Sequence, residues 1–195
     1  MEILTISGNS AAADTDGYAN DVNTTSGLPF TLAATVPGDD LAHLVIITPS
    51  GSVTGNYTIT GTGPQGEAQT ETLATDTTNA VTSAKYYKSV TSVLAPSGIG
   101  ANTVDIGWTA VSVSAWKVIP SFGGYPIGVG VTVVSGSPTY TLQHTHDGTG
   151  VFNHATIASK TTSFDGGITT PVRAIRLSWA AAGSLALSAL MSRRD

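Results

Sequence analysis

Apolar and polar residues alternate in short runs along much of the chain, and this period of two is typical of β-strands that bury one face. Residues 56–60 place Tyr57 and Ile59 on a common face. Residues 139–146 alternate over a longer run, and residues 172–179 align Ile175, Leu177 and Trp179. The pattern predicts half-buried strands that pack their apolar faces against a core.

Turn signals rich in Gly and Pro separate these runs at intervals of roughly 8–12 residues, which is typical of a β-sandwich. No run before residue 110 has the period of a helix. Parity and the preceding Gly183 favour a strand for residues 185–191. We therefore predict an all-β fold of two small antiparallel, jelly-roll-like β-sandwich modules, residues 1–112 and 113–195. One continuous sandwich with long insertions is the alternative.

The first 28 residues contain few large apolar side chains and many Ser, Ala, Asn, Asp and Thr. They predict a short strand at residues 3–6, followed by an extended N-terminal arm that becomes ordered against a neighbour. Asp14, Asp16 and Tyr18 are the candidate contact residues of this arm. A simple unstructured terminus is the alternative.

The composition favours a protein that works in an assembly. Charged residues make up 11% of the chain, against roughly 25% in an average soluble domain. A surface rich in hydroxyl groups and poor in charge is weakly protected against association. The chain has no cysteine, which excludes disulfides and thiolate chemistry. It shows neither a secretory signal nor an apolar run that would span a bilayer, so we expect a protein that stays soluble in a cytoplasm, without a membrane partner.

The charges are distributed unevenly. Residues 1–84 carry nine acidic and no basic residues, whereas residues 85–195 carry eight basic and four acidic ones. Opposite patches steer association between subunits, although chance in a charge-poor chain gives the same asymmetry. The basic residues are scattered and are not interleaved with aromatic ones, so nucleic-acid binding is not expected.

Two motifs resemble ligand sites but lack parts that such sites need. Residues 61–66 match G-x-G-x-x-G, but Pro64 and the strand-like residues that follow contradict the helix start of a dinucleotide site. Asp14-Thr15-Asp16-Gly17 matches the start of a calcium loop, but Ala19 and Thr25 stand where an EF-hand needs Gly and Glu. Turns explain both, and we expect no cofactor.

Three histidines are weak candidates for a metal site. His144 and His146 lie two apart on one strand face, and His154 follows closely in the chain. Such a set is able to hold Zn²⁺ or Ni²⁺, but ordinary packing is the favoured explanation.

No pattern supplies a nucleophile together with a base. Ser52 stands at the wrong position for a G-x-S-x-G elbow, and Glu67 and Glu71 fall in what we interpret as a solvated hairpin. We therefore predict that the protein is not an enzyme.

The string TITGTGPQGEAQTETL at residues 58–73, followed by VTSAKYYKSVTSV at residues 81–93, resembles a module of tailed-bacteriophage structural proteins. That module has a strand ending in a TGT-type turn, a polar hairpin rich in Thr and Glu, and then a Lys-Tyr-Phe/Tyr-Lys segment followed by Val-Thr-Ser-Val. Here the segment is Lys85, Tyr86, Tyr87 and Lys88, which become candidate contact residues. The resemblance covers about residues 40–110 and is ordered over some fifty of them.

A looser resemblance to phage virion β-sandwich proteins covers residues 137–148 and 171–179. His144 or His146 stands where those proteins usually have an aromatic residue. Together the two resemblances imply a virion component made in a bacterial host cytoplasm, most simply a capsid decoration (cement) protein. Its expected partners are the major capsid protein or other virion proteins. The chain itself is expected to form a homo-oligomer, with a trimer favoured.

Two other functions remain open at the level of sequence. A neck, tail or baseplate component fits the same resemblance. A carbohydrate-binding sandwich for host adhesion would use Trp108, Trp116 and Trp179 as a stacking platform, although each lies in a pattern typical of a core.

Overall fold

The computed structural model describes residues 2–120 and 123–193, and within these ranges it contains strands and no helix. The predicted all-β class is confirmed. Each strand pair whose register is described is antiparallel. The strands of the first part of the chain are β1 (Glu2–Ser10), β2 (Asp14–Val22), β3 (Ala42–Pro49), β4 (Asn56–Thr62), β5 (Ala68–Ala74), β6 (Val81–Tyr87), β7 (Ser89–Leu94) and β8 (Val104–Val113). Those that follow are β9 (Lys117–Val118), β10 (Gly123–Gly136), β11 (Tyr140–Thr145), β12 (Phe152–Asn153), β13 (Phe164–Ile168), β14 (Ala174–Trp179) and β15 (Gly183–Arg193).

The chain forms two compact units. One is the continuous unit, Ala12–Ser112, and the other is the split unit, Met1–Ala11 together with Val113–Asp195. The boundary after Ser112 falls near the end of β8.

In the continuous unit, β5, β4 and β7 form a three-stranded sheet in that order. β8, β3 and β6 also lie side by side in this order, and β2 pairs with β8. Apolar side chains from these strands form the core, and the predicted inward pair of Tyr57 and Ile59 is fully buried within it. Alternation along β4 therefore identifies its core face correctly.

In the split unit, β1, β15, β10 and β13 form a four-stranded sheet, while β12, β11 and β14 pair in that order with β9 beside β14. The register sets Tyr140 opposite Trp179 and Leu142 opposite Leu177, and all four side chains are buried. Residues 183–193 form a strand, as their parity predicts, with alternate apolar side chains buried.

The N-terminal segment departs from the extended arm expected of it. All nine residues of β1 pair with β15, and β2 pairs with β8 across two register shifts. Ile6, Tyr18 and Ala19 are buried, so the few apolar residues of this segment are sufficient to anchor it. Residues 2–11 consequently belong with the C-terminal part of the chain, whereas the predicted first module began at residue 1.

Candidate interaction surface

The residues predicted to contact a partner divide into a buried and a surface group. Tyr18 and Tyr87 are fully buried in the core of the continuous unit. The Tyr18 ring meets the Trp108 ring edge to face with 5.0 Å between centroids, and Trp108 Nε1 donates to Ala12 O. The prediction that Tyr18 and Tyr87 contact a partner is therefore wrong, because both side chains point into the core. Tyr86 is half-buried.

Lys85 and Lys88 lie at the end of β6 and just after it, and each is held by its own chain. Lys85 Nζ donates to Thr70 O over 2.7 Å. Lys88 Nζ lies 3.7 Å from Asp40 Oδ1, whose carboxylate is almost fully exposed. An exposed ion pair such as Lys88–Asp40 contributes about 0–1 kcal/mol, so a partner carboxylate is able to replace Asp40.

Asp14 and Asp16 begin β2 and form a linked acidic pair. Asp16 N donates to Asp14 Oδ1 over 3.3 Å, and Asn20 Nδ2 donates to Asp16 Oδ2. The hydrogen bond between the two carboxyl side chains raises the pKa of Asp14 and lowers the pKa of Asp16. Both residues lie in a strand rather than in the loop that a calcium motif requires.

Glu71 connects two strands that share no backbone ladder. Its two carboxylate oxygens accept hydrogen bonds from Ala84 N, 2.7 Å away, and from Lys85 N, 3.1 Å away. Gln69 Nε2 donates to Tyr86 O from the same strand, β5. Side chains of β5 thus satisfy backbone groups along the outer edge of β6. The predicted hairpin forms and no residue of β5 is buried, but sequence does not show which edge lies beside β5, so this role of Glu71 was not predicted.

His144, His146 and Phe152 form an aromatic cluster where β11 lies beside β12. The ring centroids of His144 and His146 are 5.4 Å apart, and Phe152 stacks on His144 at 5.8 Å. His144 Nδ1 is buried and has no hydrogen-bond partner. Burial lowers the pKa of His144, and the neighbouring His146 and His154 lower it further.

His154 does not complete a metal site with the other two histidines. Its Nδ1 accepts hydrogen bonds from the backbone of Thr156 and Ile157, and its Nε2 lies 3.1 Å from Gly167 O. Both ring nitrogens are therefore engaged by backbone atoms. No group of three or more His, Asp or Glu side chains able to hold a metal occurs among the residues that the structure describes.

Asp39 and His43 form a buried pair that the sequence did not indicate. His43 Nε2 lies 2.7 Å from Asp39 Oδ2, and its Nδ1 lies 2.8 Å from Thr109 O. The imidazole is fully buried and the carboxylate nearly so. Because oxygen atoms engage both ring nitrogens, the pair ties the loop before β3 to β8 and leaves no nitrogen free to act as a base.

The three tryptophans do not form a stacking platform. Trp108 is 8% exposed and Trp179 is fully buried. One face of Trp116 is covered by Arg176, whose guanidinium carbon lies 4.4 Å from the ring centroid. Arg176 also donates from Nε to Gln143 Oε1 over 2.8 Å. The platform suggested for carbohydrate binding is thereby contradicted.

Large apolar side chains reach the surface at a few places on the split unit. Ile3 and Leu190, 54% and 43% exposed, are directly opposite each other on β1 and β15. Val151 is also exposed, and it is next in the chain to Phe152, the exposed member of the aromatic cluster. Exposed apolar side chains that adjoin one another are typical of contact surfaces.

No protein-family model and no curated protein matches the chain. Within the described ranges, no helix has the length and apolar character needed to cross a membrane.

Proposed function

We propose that this chain is a non-enzymatic structural protein of a tailed-bacteriophage virion, most simply a capsid decoration protein that stabilises the head shell. The observation that carries the proposal is the ordered resemblance of residues 58–73 and 81–93 to the phage module. These residues form β6 and most of β4, β5 and β7, so the resemblance coincides with a hairpin and the strands beside it.

The polar hairpin of β4 and β5 supports this proposal because its backbone is held along its whole length. Its seven residue pairs run without a register shift from Asn56–Ala74 to Thr62–Ala68. At its turn, Gly63 N donates to Glu67 O, and the Glu67 carboxylate accepts from Gln65 N. A hairpin fixed in this way is able to contact a neighbouring subunit with little loss of conformational entropy.

The charge distribution gives a second line of support. The continuous unit carries nine acidic residues and two lysines, a net formal charge of −7. The split unit carries four acidic and six basic residues, a net charge of +2. On a shell lattice, opposite charges on neighbouring copies or on the shell would orient each copy.

A binding experiment with undecorated, expanded phage heads tests the proposal. Purified protein should saturate the heads at a fixed copy number and raise the temperature at which they open. A variant with Lys85→Glu and Lys88→Glu should bind more weakly, while Lys117→Glu, which lies on the split unit, serves as the matched control. Absence of binding at any protein concentration contradicts the decoration role.

A neck, tail or baseplate component is the second candidate, since the same phage resemblance favours it. Quantitative mass spectrometry of purified particles separates the two locations. Hundreds of copies for each particle indicate decoration, whereas about six or twelve indicate a ring at the neck or tail.

A further inference from the structure

The outer edge of β1 is long, and no described strand pairs with it from Glu2 to Asn9. β1 pairs with β15 along all nine residues without a register shift, and β15 is the one strand beside it in the described structure. Thr5, Ser7 and Asn9 are exposed, whereas Ile6 points into the core. The backbone groups that do not bond to β15 therefore face outward along this edge.

Several of the other edges among the described residues are short or are covered in part by the chain itself. The segment from residue 28 to 35 lies along β7, where Phe30 N donates to Val93 O and Val90 N donates to Thr35 O. The Glu71 carboxylate and Gln69 cover β6. β12 and β13 are edges of two and five residues. Short or covered edges resist pairing with other chains.

β1 also lacks the features with which natural sheets protect an edge. Such edges usually carry lysines, prolines or bulges. From Ile3 to Ser10 the strand has neither a charged residue nor a proline, and its ladder to β15 is regular. Its exposed Ile3 lies directly opposite the exposed Leu190. Neither the backbone of β1 nor its side chains would therefore hinder the pairing of another strand along this edge.

We propose that β1 pairs antiparallel with β1 of a second copy of this chain, joining two four-stranded sheets into one sheet across a two-fold axis. An antiparallel ladder between two copies of one strand is self-complementary. When the second copy is rotated by 180°, its backbone N–H groups face the C=O groups of the first copy, and its C=O groups face the N–H groups. Glu2 is the single charge of the strand, and the two copies would place it at opposite ends of the ladder. No like charges would therefore meet. The inference does not depend on the virion role.

The mass of the full chain in solution, measured by light scattering after gel filtration, is the first test. The expected mass is twice that of the 19.8 kDa chain. A wild-type protein that remains a monomer at about 0.1 mM, where even weak specific pairing is populated, overturns the proposal.

Charge pairs at Thr5 and Ser7 test the location of the contact. The double variant T5K/S7K should lose dimer mass, because like charges on paired strands repel each other. The double variant T5E/S7E should lose it as well, and an equimolar mixture of the two variants should regain it as a heterodimer. Circular dichroism checks that both variants retain their β-structure. Failure of the mixture to associate overturns the proposal.

Ser188→Lys is the matched control, because Ser188 lies on the same exposed face as Thr5 but on the inner strand β15. The variant should keep the dimer mass if the contact runs through the edge of β1. Equal loss of dimer in this variant would place the contact on the sheet face and overturn the edge pairing.

Discussion

Four buried polar atoms have no hydrogen-bond partner in the described structure: Tyr18 Oη, Tyr57 Oη, His144 Nδ1 and Trp179 Nε1. A buried polar group without a partner costs about 1–3 kcal/mol. Burial raises the pKa of Tyr57 to about 12, and burial together with the nearby Asp39 raises the pKa of Tyr18 further. Single substitutions at these residues test the core directly.

Two tyrosine-to-phenylalanine variants should change the free energy of unfolding differently. Tyr18→Phe removes a hydroxyl without a partner, so the free energy of unfolding should stay unchanged or rise by up to about 1 kcal/mol. Tyr140→Phe removes the hydroxyl that donates to Thr162 O over 2.8 Å, so the free energy of unfolding should fall by about 1 kcal/mol. Urea denaturation of both variants measures the difference. An equal loss in both would contradict the unpaired state of the Tyr18 hydroxyl.

His144 should make stability depend on pH below neutrality. Its pKa is lowered in the folded protein, so below the ordinary value of 6.5 the unfolded chain binds a proton that the folded chain does not. The free energy of unfolding should therefore fall as the pH drops below 6.5, and it should stop falling once the pH is below the lowered pKa of His144 in the folded protein. His144→Phe should show a shallower fall, measured by denaturant unfolding at a series of pH values. An NMR titration of His144 with a midpoint at or above 6.5 would argue against this.

At the scale of elements, two kinds of contact hold neighbouring strands together: side-chain hydrogen bonds at sheet edges and close approaches between backbones. Side chains complete backbone hydrogen bonding where ladders end, as Glu71 does for β6. β2 crosses β8 so closely that a Cβ on Gly107 would lie 1.9 Å from Asp14 O. By contrast, a Cβ on Gly128 would meet no atom within 4 Å.

Removal of the Glu71 carboxylate should loosen the outer edge of β6. Glu71→Ala leaves Ala84 N and Lys85 N without their acceptor, and we expect a loss of about 1–3 kcal/mol of unfolding free energy. Hydrogen exchange of these two amides should accelerate. Thr72→Ala, an exposed neighbour on β5, is the control and should change little.

Two glycine variants separate a required glycine from a replaceable one. Gly107→Ala should displace β2 and cost more than about 2 kcal/mol, because backbone atoms cannot move aside cheaply. Gly128→Ala should be neutral or stabilise by up to about 1 kcal/mol, because glycine weakens a strand interior. Thermal unfolding of both variants measures this. A tolerated Gly107→Ala would contradict the close approach of β2 to β8.

At the scale of the whole molecule, the split unit is built from the two ends of the chain, Met1–Ala11 and Val113–Asp195. A variant lacking residues 1–11 should lose protection from hydrogen exchange in β15, because β15 loses its ladder to β1 and its edge becomes exposed to solvent or to association. Protection in β4, which belongs to the continuous unit, should persist. A peptide of residues 1–11 added in trans should restore protection in β15. Uniform loss in both units would contradict this division.

The sequence by itself determined the all-β class and the inward faces of individual strands. Alternation depends on the pleat of each strand, which is a local property, so Tyr57, Leu142, Leu177 and Trp179 are recognised as core residues from their neighbours alone. The same local argument recognises the turn at residues 61–66 as a hairpin rather than a phosphate loop.

Only the tertiary structure decided which strands meet. The partner of β1 is β15, almost the whole chain away, and the partners of Glu71 are amides on a strand that it does not pair with. The buried pair of Asp39 and His43 depends on Thr109 in the same way. Pairing is set by the packing of many strands at once, and no local pattern in residues 1–28 distinguishes an edge strand from a free arm. The tertiary structure therefore replaces the expected arm with an open edge, and it places two of the predicted contact tyrosines in the core.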